Sequence, residues 1–236
     1  MNKKFELTTD TKMFFGRKLF RIKALISFGN ITAGDLGGYV EKESNLSHDN
    51  NAWVYGNAKV YGDANVYGDA WVCDNANVCG DAKVGGNAKV FGDAEVFGDA
   101  EVFGDAKVCG NAWVFGNAKV CGNAKVCGNA KVCGNAKVFG DANVCGDAWV
   151  RDNANVCGDA DYLCFKGLGS YNRNTTFFKC KDGHIHVSCG CFGGTLEEFA
   201  EKVKDTHGDS RFAKEYLAAI EVVKIHFEIE EDEENA

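Results

Sequence analysis

Five residues in the last third of the chain have types that could do chemistry: Cys180, His184, His186, Cys189 and Cys191. Thiolates and imidazoles ligate zinc and other soft cations, and a thiol served by a base is a nucleophile. The spacing here is C-x8-C-x-C with H-x-H, not the C-x2-C pairs of ordinary zinc sites. Strand alternation sends His184 and His186 to one face, which permits a site without requiring one. Each cysteine serves equally well as a small hydrophobe. No metal, cofactor or catalytic group is therefore assigned from these residues.

The other histidines are His48, His207 and His226, so none of the five lies between Ala52 and Ala160. That stretch holds most of the remaining candidate side chains, and a repeat must position them. Alanine recurs every six residues from Ala52 to Ala160, nineteen times, and valine stands two residues after each of the first eighteen. The unit reads A-x-V-[Y/C/F]-G-[N/D]. Alternation puts Ala and Val on one face and the x and Tyr/Cys/Phe positions on the other. Gly followed by Asn or Asp tolerates the positive φ of a tight corner. Small inward residues require a narrow interior. Three units close an 18-residue triangular coil, and six coils stacked at about 4.8 Å make a rod of about 29 Å.

Columns at a spacing of 18 then become physical neighbours. One outer column is Trp53, Trp71, Lys89, Lys107, Lys125, Asn143; the next is Lys59, Asn77, Glu95, Trp113, Lys131, Trp149. Stacked pairs such as Trp53 over Trp71 and Phe97 over Phe115 would support the ladder. Stacked lysines would repel, with acidic corners offsetting them. Contiguous outward aromatics would equally suit a partner.

The unit and the opening LFRIKALISFGNITAGDLGGYVEKESNLSHDNNAWVYGNAKVYGDA carry a resemblance. The unit resembles hexapeptide-repeat proteins, which implies a left-handed helix. The opening, the GNA/GDA repeats and the tail TTFFKCKDGHIHVSCGCFGGTLEEF together look like a group of bacteriophage and prophage proteins, which supplies no activity to carry over. Hexapeptide acyltransferases use a histidine base and related carbonic anhydrases three zinc-binding histidines. With no histidine in the repeat and no long loop to build a pocket, that activity does not transfer.

Outside the repeat, residues 1–45 read as short strands, KFEL and KLFRIKALI, about a turn at Asp10 and a break at Gly16. Leu46 falls on the alanine register and His48 on the valine register, as a degenerate first unit. Past Asp161, NTTFFKCKDGHIHVSCG reads as a hairpin turning at Asp182-Gly183. Thr195 opens a helix with Glu198 as a capping box, closing near His207-Gly208, and Asp209 caps a second helix through Phe227. The residues EIEEDEENA form an acidic tail.

Charge limits the partners. Residues 1–50, 51–160 and 161–236 sum to +2, −4 and −6, for a net −8. A basic nucleic-acid-binding face is not indicated, so direct nucleic-acid binding is not expected. The column Asp63, Asp81, Asp99 could imitate a line of phosphates, although −4 over six coils is weak for mimicry. Twelve cysteines without an apolar leader point to reduced thiols in a bacterial cytoplasm, and no apolar run approaches the roughly 20 residues of a spanning helix.

The sequence thus predicts a mainly β protein: an N-terminal β cap (1–50), a three-sided parallel β-helix of about six coils (51–160), and a small α+β module (161–236). The expected function is non-enzymatic, a phage-derived interaction or scaffold protein binding a host or phage protein or a second copy of itself. The alternative is an inhibitor of a bacterial defence or DNA-processing enzyme, such as a CRISPR nuclease, by occlusion or DNA mimicry. Because a uniform repeat discriminates poorly, recognition is expected at Trp113, Trp149 and Arg151, and at Phe177, Phe178, Cys189, Cys191 and Phe192 beyond the rod.

Overall fold

The computed structural model describes residues 3–229, so all but the first two residues of the acidic tail EIEEDEENA lie outside the described residues. The repeat folds as its alternation requires. Every alanine from Ala52 to Ala154 and every valine from Val54 to Val156 is buried, almost all of them completely. Eighteen two-residue strands, β4 (Trp53–Val54) to β21 (Asn155–Val156), stack in parallel as three faces. The register is one coil of 18 residues: Val54 lies beside Val72, Val60 beside Val78 and Val66 beside Val84. The nineteenth alanine, Ala160, is exposed in a short turn, so the coils end at Val156.

Glycine sets the corners. Gly104 has φ +73° and Gly146 φ +70°. A Cβ on Gly104 would meet the Gly122 backbone nitrogen at 3.0 Å, whereas one on Gly146, in the last coil, would meet nothing. The two aspartates at this corner position fit the same logic. Asp152 has no coil beyond it, and Asp74 (both φ 61°) turns its carboxylate to accept from the Gly92 N–H at 3.0 Å. Gly146→Ala should therefore cost only the left-handed backbone, about 1–2 kcal/mol. Gly104→Ala should cost at least about 1 kcal/mol more, because two coils must separate. Denaturant midpoints of the two variants test this; equal losses would mean the coils have slack.

The ladder has a direction. Most ladder N–H groups of each coil donate to the following coil, as in Trp53 N to Ala70 O (3.0 Å) and Tyr55 N to Val72 O (2.8 Å), while the parallel pairing turns the valine N–H groups back toward the preceding coil. The first coil therefore presents mainly open carbonyls and the last mainly open N–H groups, which must find partners when covered. At the first end the partners are donors. Lys4 Nζ reaches the carbonyls of Ala52, Asn50 and Asp49 at 2.9, 3.2 and 3.4 Å. Asn45 Nδ2 reaches those of Ala64 and Gly62 at 2.8 and 3.0 Å. At the last end the partners are acceptors. Asp159 takes the Asn143 N–H at 2.7 Å, Thr176 Oγ1 that of Trp149 at 3.0 Å, and Asp161 those of Cys157 and Gly158 at 2.9 and 3.0 Å. Burial lowers the Lys4 ammonium to about 8, against the pull of the Asp49 and Asp69 carboxylates.

The N-terminal cap departs from the sequence reading in two places. β1 (Phe5–Phe14) is one strand paired with β2 (Arg17–Ala24); Asp10 sits at a register irregularity between Leu7 and Thr11, and the turn is at Phe15-Gly16. β3 (Leu36–Val40) then joins the rod with Val40 beside Val60, and Leu46 lies beside Val66. Both offsets are 20 residues, so Leu46 fills a valine place and His48 does not. His48 instead stacks on Phe5 (4.4 Å), whose ring, with that of Phe28, closes edge-on over Trp53. Trp53 and Trp71 are strand partners, but Trp53 is spent on the cap.

The C-terminal module is an antiparallel meander of β22 (Tyr162–Leu168), β23 (Arg173–Lys179), β24 (Ile185–Cys189) and β25 (Phe192–Thr195), followed by α1 (Leu196–His207) and α2 (Arg211–His226). The hairpin spans Asp182-Gly183, and Thr195 with Glu198 forms the capping box, as the sequence indicates. The second helix is capped one residue later than read: Ser210 Oγ, not Asp209, accepts the Ala213 N–H. One face of the sheet carries Phe177 and Val187 against Phe199, Val203, Tyr216 and Ile220 of the helices. The other carries Phe178, which joins the core of the rod.

Candidate protein-interaction surface

The face built from β5 (Lys59–Val60) through β20 (Trp149–Val150) aligns Glu95, Trp113, Lys131 and Trp149 one coil apart. Below them, Phe97 and Phe115 stack at 4.9 Å and 5°, and Trp113 sits edge-on to Phe97 at 6.2 Å. Lys131 Nζ lies between two indoles, 4.6 Å from Trp113 and 5.7 Å from Trp149. Each such contact contributes about 0.5–1 kcal/mol at an exposed site. The result is a pre-ordered aromatic and cationic stripe, with Trp113 38% exposed.

The stripe runs into a cleft of about 460 Å³ between rod and tail, lined by Lys131, Trp149, Asn172, Arg173 and Asn174. Beyond Arg173 lies a more apolar cavity of about 210 Å³, with Phe192, Phe199, Val203 and Tyr216 on its walls and Tyr171 and Lys202 at its edge. Arg173 borders both and stacks on Tyr171 at 5.0 Å. A side chain at Gly190 would collide with the Arg173 guanidinium, so that glycine leaves the arginine its place.

The residues singled out from sequence divide sharply. Trp113, Trp149, Cys191 and Phe192 line or adjoin this surface. Arg151 is turned inward: it stacks on Trp149 at 5.0 Å, donates to the Phe192 carbonyl and fills the space above Gly193. It clamps the tail to the rod and is not offered to a partner. Phe177 and Phe178 are both fully buried, and Cys189 is buried beside Thr175 and Tyr216. These three cannot meet a partner, because the sheet is covered on both faces. Lys131, Tyr171 and Arg173 were missed. Lys131 stands between two tryptophans in the 18-residue column and was legible there, whereas Tyr171 and Arg173 come from a loop with no repeat to place it.

The other candidate chemistry is largely tied up. Burial pushes the Cys73 thiol up to about 11 and raises those of Cys109, Cys121, Cys127 and Cys133, which keeps them protonated. Cys133 is covered by Trp149, whose indole N–H donates to its sulfur at 3.2 Å. The Lys89, Lys107, Lys125 column lines a groove of about 600 Å³ beside a corner of alternating Asn and Asp. There Asn51, Asn87 and Asn123 donate to Asp69, Asp105 and Asp141 of the next coil at 2.7, 3.0 and 2.9 Å. Asp69 and Asp105 line the same groove as the lysines.

Fold and surface together define a capped β-solenoid carrying a small α+β module. No protein-family model matches the chain, and no curated protein matches it. Among the described residues, no helix is long and apolar enough to cross a membrane.

Proposed function

We propose that the chain is a non-enzymatic interaction protein, phage-derived as its sequence likeness suggests, that binds a protein partner in the bacterial cytoplasm through the rod–tail junction. The observation that carries this reading is the stripe of Trp113, Lys131 and Trp149 leading to Arg173 and the 77%-exposed Tyr171. Trp, Tyr and Arg are the types that dominate interface energetics, and here they are fixed in place before any partner arrives. The rod acts as a rigid spacer that holds this surface.

Capture from host lysate with the full chain, compared with Trp113→Ala/Tyr171→Ala, tests it. The double variant should lose at least about tenfold of its partner, since hot-spot truncations cost about 2 kcal/mol or more each, while its melt stays unchanged. A partner retained in full, whether a foreign protein or a second copy, overturns the assignment.

A second reading, occlusion of a nucleic-acid enzyme, is favoured by the exposed corner Asp63, Asp81, Asp99. Lys42 pairs with Asp63, and no ion pair engages Asp81 or Asp99 among the described residues. The next three residues of that corner are Asn117, Asn135 and Asn153, so the charged line is short. Loss of the captured partner on Asp81→Asn/Asp99→Asn, with retention by the Trp113/Tyr171 variant, would select this reading instead.

A further inference from the structure

We propose that Cys180, Asp182 and His186 bind a divalent transition-metal ion of the zinc type at the seam between the last coil and the tail hairpin. The Cys180 sulfur, an Asp182 carboxylate oxygen and a His186 ring nitrogen all lie within 4.8 Å of one another. Tetrahedral zinc, with bonds of about 2.3 Å to sulfur and about 2.0–2.2 Å to nitrogen and oxygen, places neighbouring ligand atoms about 3.4–3.6 Å apart. His186 Nε2 already stands 3.4 Å from Asp182 Oδ2. The three atoms need close by no more than about 1.4 Å to grip one ion.

Two further features point to a ligand. His186 Nε2 is shut off from solvent and has no hydrogen-bond partner of good geometry among the described residues, an arrangement that costs free energy unless something fills it. The surrounding backbone also holds the other two groups still. Cys180 N donates to His184 O at 2.9 Å, and Gly183 N to Cys180 O at 3.1 Å. His184 N donates to Asp182 Oδ1 at 3.0 Å, leaving Oδ2 toward the histidine. Lys181 N donates to Asn153 O at 3.2 Å and Cys180 bridges to Ala154, so the hairpin tip is tied to the last coil. Three protein ligands leave a fourth position for water.

Without an ion the Cys180 sulfur keeps its proton. Burial, with the Asp182 and Asp152 carboxylates, pushes the Cys180 thiol up to about 12. A bound ion reverses that balance: the S–H bond breaks, the sulfur–metal bond forms, and the proton leaves to solvent, so affinity rises with pH. The C-x-D-x3-H spacing is unlike a zinc finger, which is why the sequence alone assigns nothing here.

The test uses the full chain, stripped with chelator and titrated with cobalt(II). One equivalent should bind with a thiolate-to-cobalt charge-transfer band in the near ultraviolet, and zinc should displace it. Cys180→Ser should abolish the band, and His186→Gln should weaken binding by at least about tenfold. Cys191→Ser should change neither. Zinc should also raise the melting temperature of the wild type but not of His186→Gln, a variant at a partly exposed position that is expected to fold. Cobalt binding without the band, unaltered binding by Cys180→Ser or His186→Gln, or no binding at micromolar metal overturns the site.

Discussion

Val102→Asp should unfold the middle of the rod, whereas Phe103→Asp, one residue on, should cost about 1 kcal/mol or less. Val102 is completely buried between Val84 and Val120, and Phe103 is 37% exposed. A carboxylate at position 102 would face methyl groups with no donor in reach, a loss of more than about 4 kcal/mol. For a chain of this size that corresponds to about 8–16 °C in Tm. The pH dependence has a definite sign. Burial raises the folded-state pKa of the new aspartate above its unfolded value, so the damage is smallest at low pH and grows as pH rises through that folded value. Thermal melts at two pH values check both statements, and a shift of only a few degrees for Val102→Asp would mean that valine does not line the interior.

Phe178→Ala should cost about 3–5 kcal/mol, the usual range for a buried phenylalanine, and its effect should spread into the rod. Phe178 is fully buried and closes the open end of the solenoid core beside Cys180. Phe177 is just as buried but packs edge-on to Phe165 and Phe199 in the core of the tail. The two truncations should therefore be similar in size and different in place. In hydrogen exchange, Phe178→Ala should release the amides of the last coil near Val150 and Val156, and Phe177→Ala those of α1 and α2. Protection of the last coil in both variants would mean that the tail sheet is not its lid.

The contrast between these two residues explains how much was legible. The rod could be read because every coil imposes the same constraint on the same two positions, so Ala and Val declare the interior eighteen times over. The ends impose theirs once. The two-residue offset that brings Leu46 under Val66 leaves no trace in the hexad register. Strand β23 has one face on the helices and the other on the solenoid, so Phe177 and Phe178 are both interior, although alternation alone suggests one side open. The interaction surface was half legible for the same reason. Trp113 and Trp149 lie in the repeat, while Tyr171 and Arg173 reach the cleft only because the meander folds back over the last coil.

The direction of the hydrogen-bond ladder has a consequence for what the caps prevent. A rod stripped of its caps would end mainly in bare acceptors on one side and mainly in bare donors on the other. Exposed strand edges of that kind recruit other chains, and these two ends complement each other only when both rods point the same way. Such copies would add tip to tail into a polar fibre, and end-to-end joining in the opposite sense would set like groups against like. Lys4 and Asn45 at one tip, with Asp159, Asp161 and Thr176 at the other, are in this sense the chain terminators of a one-dimensional polymer held at a length of one.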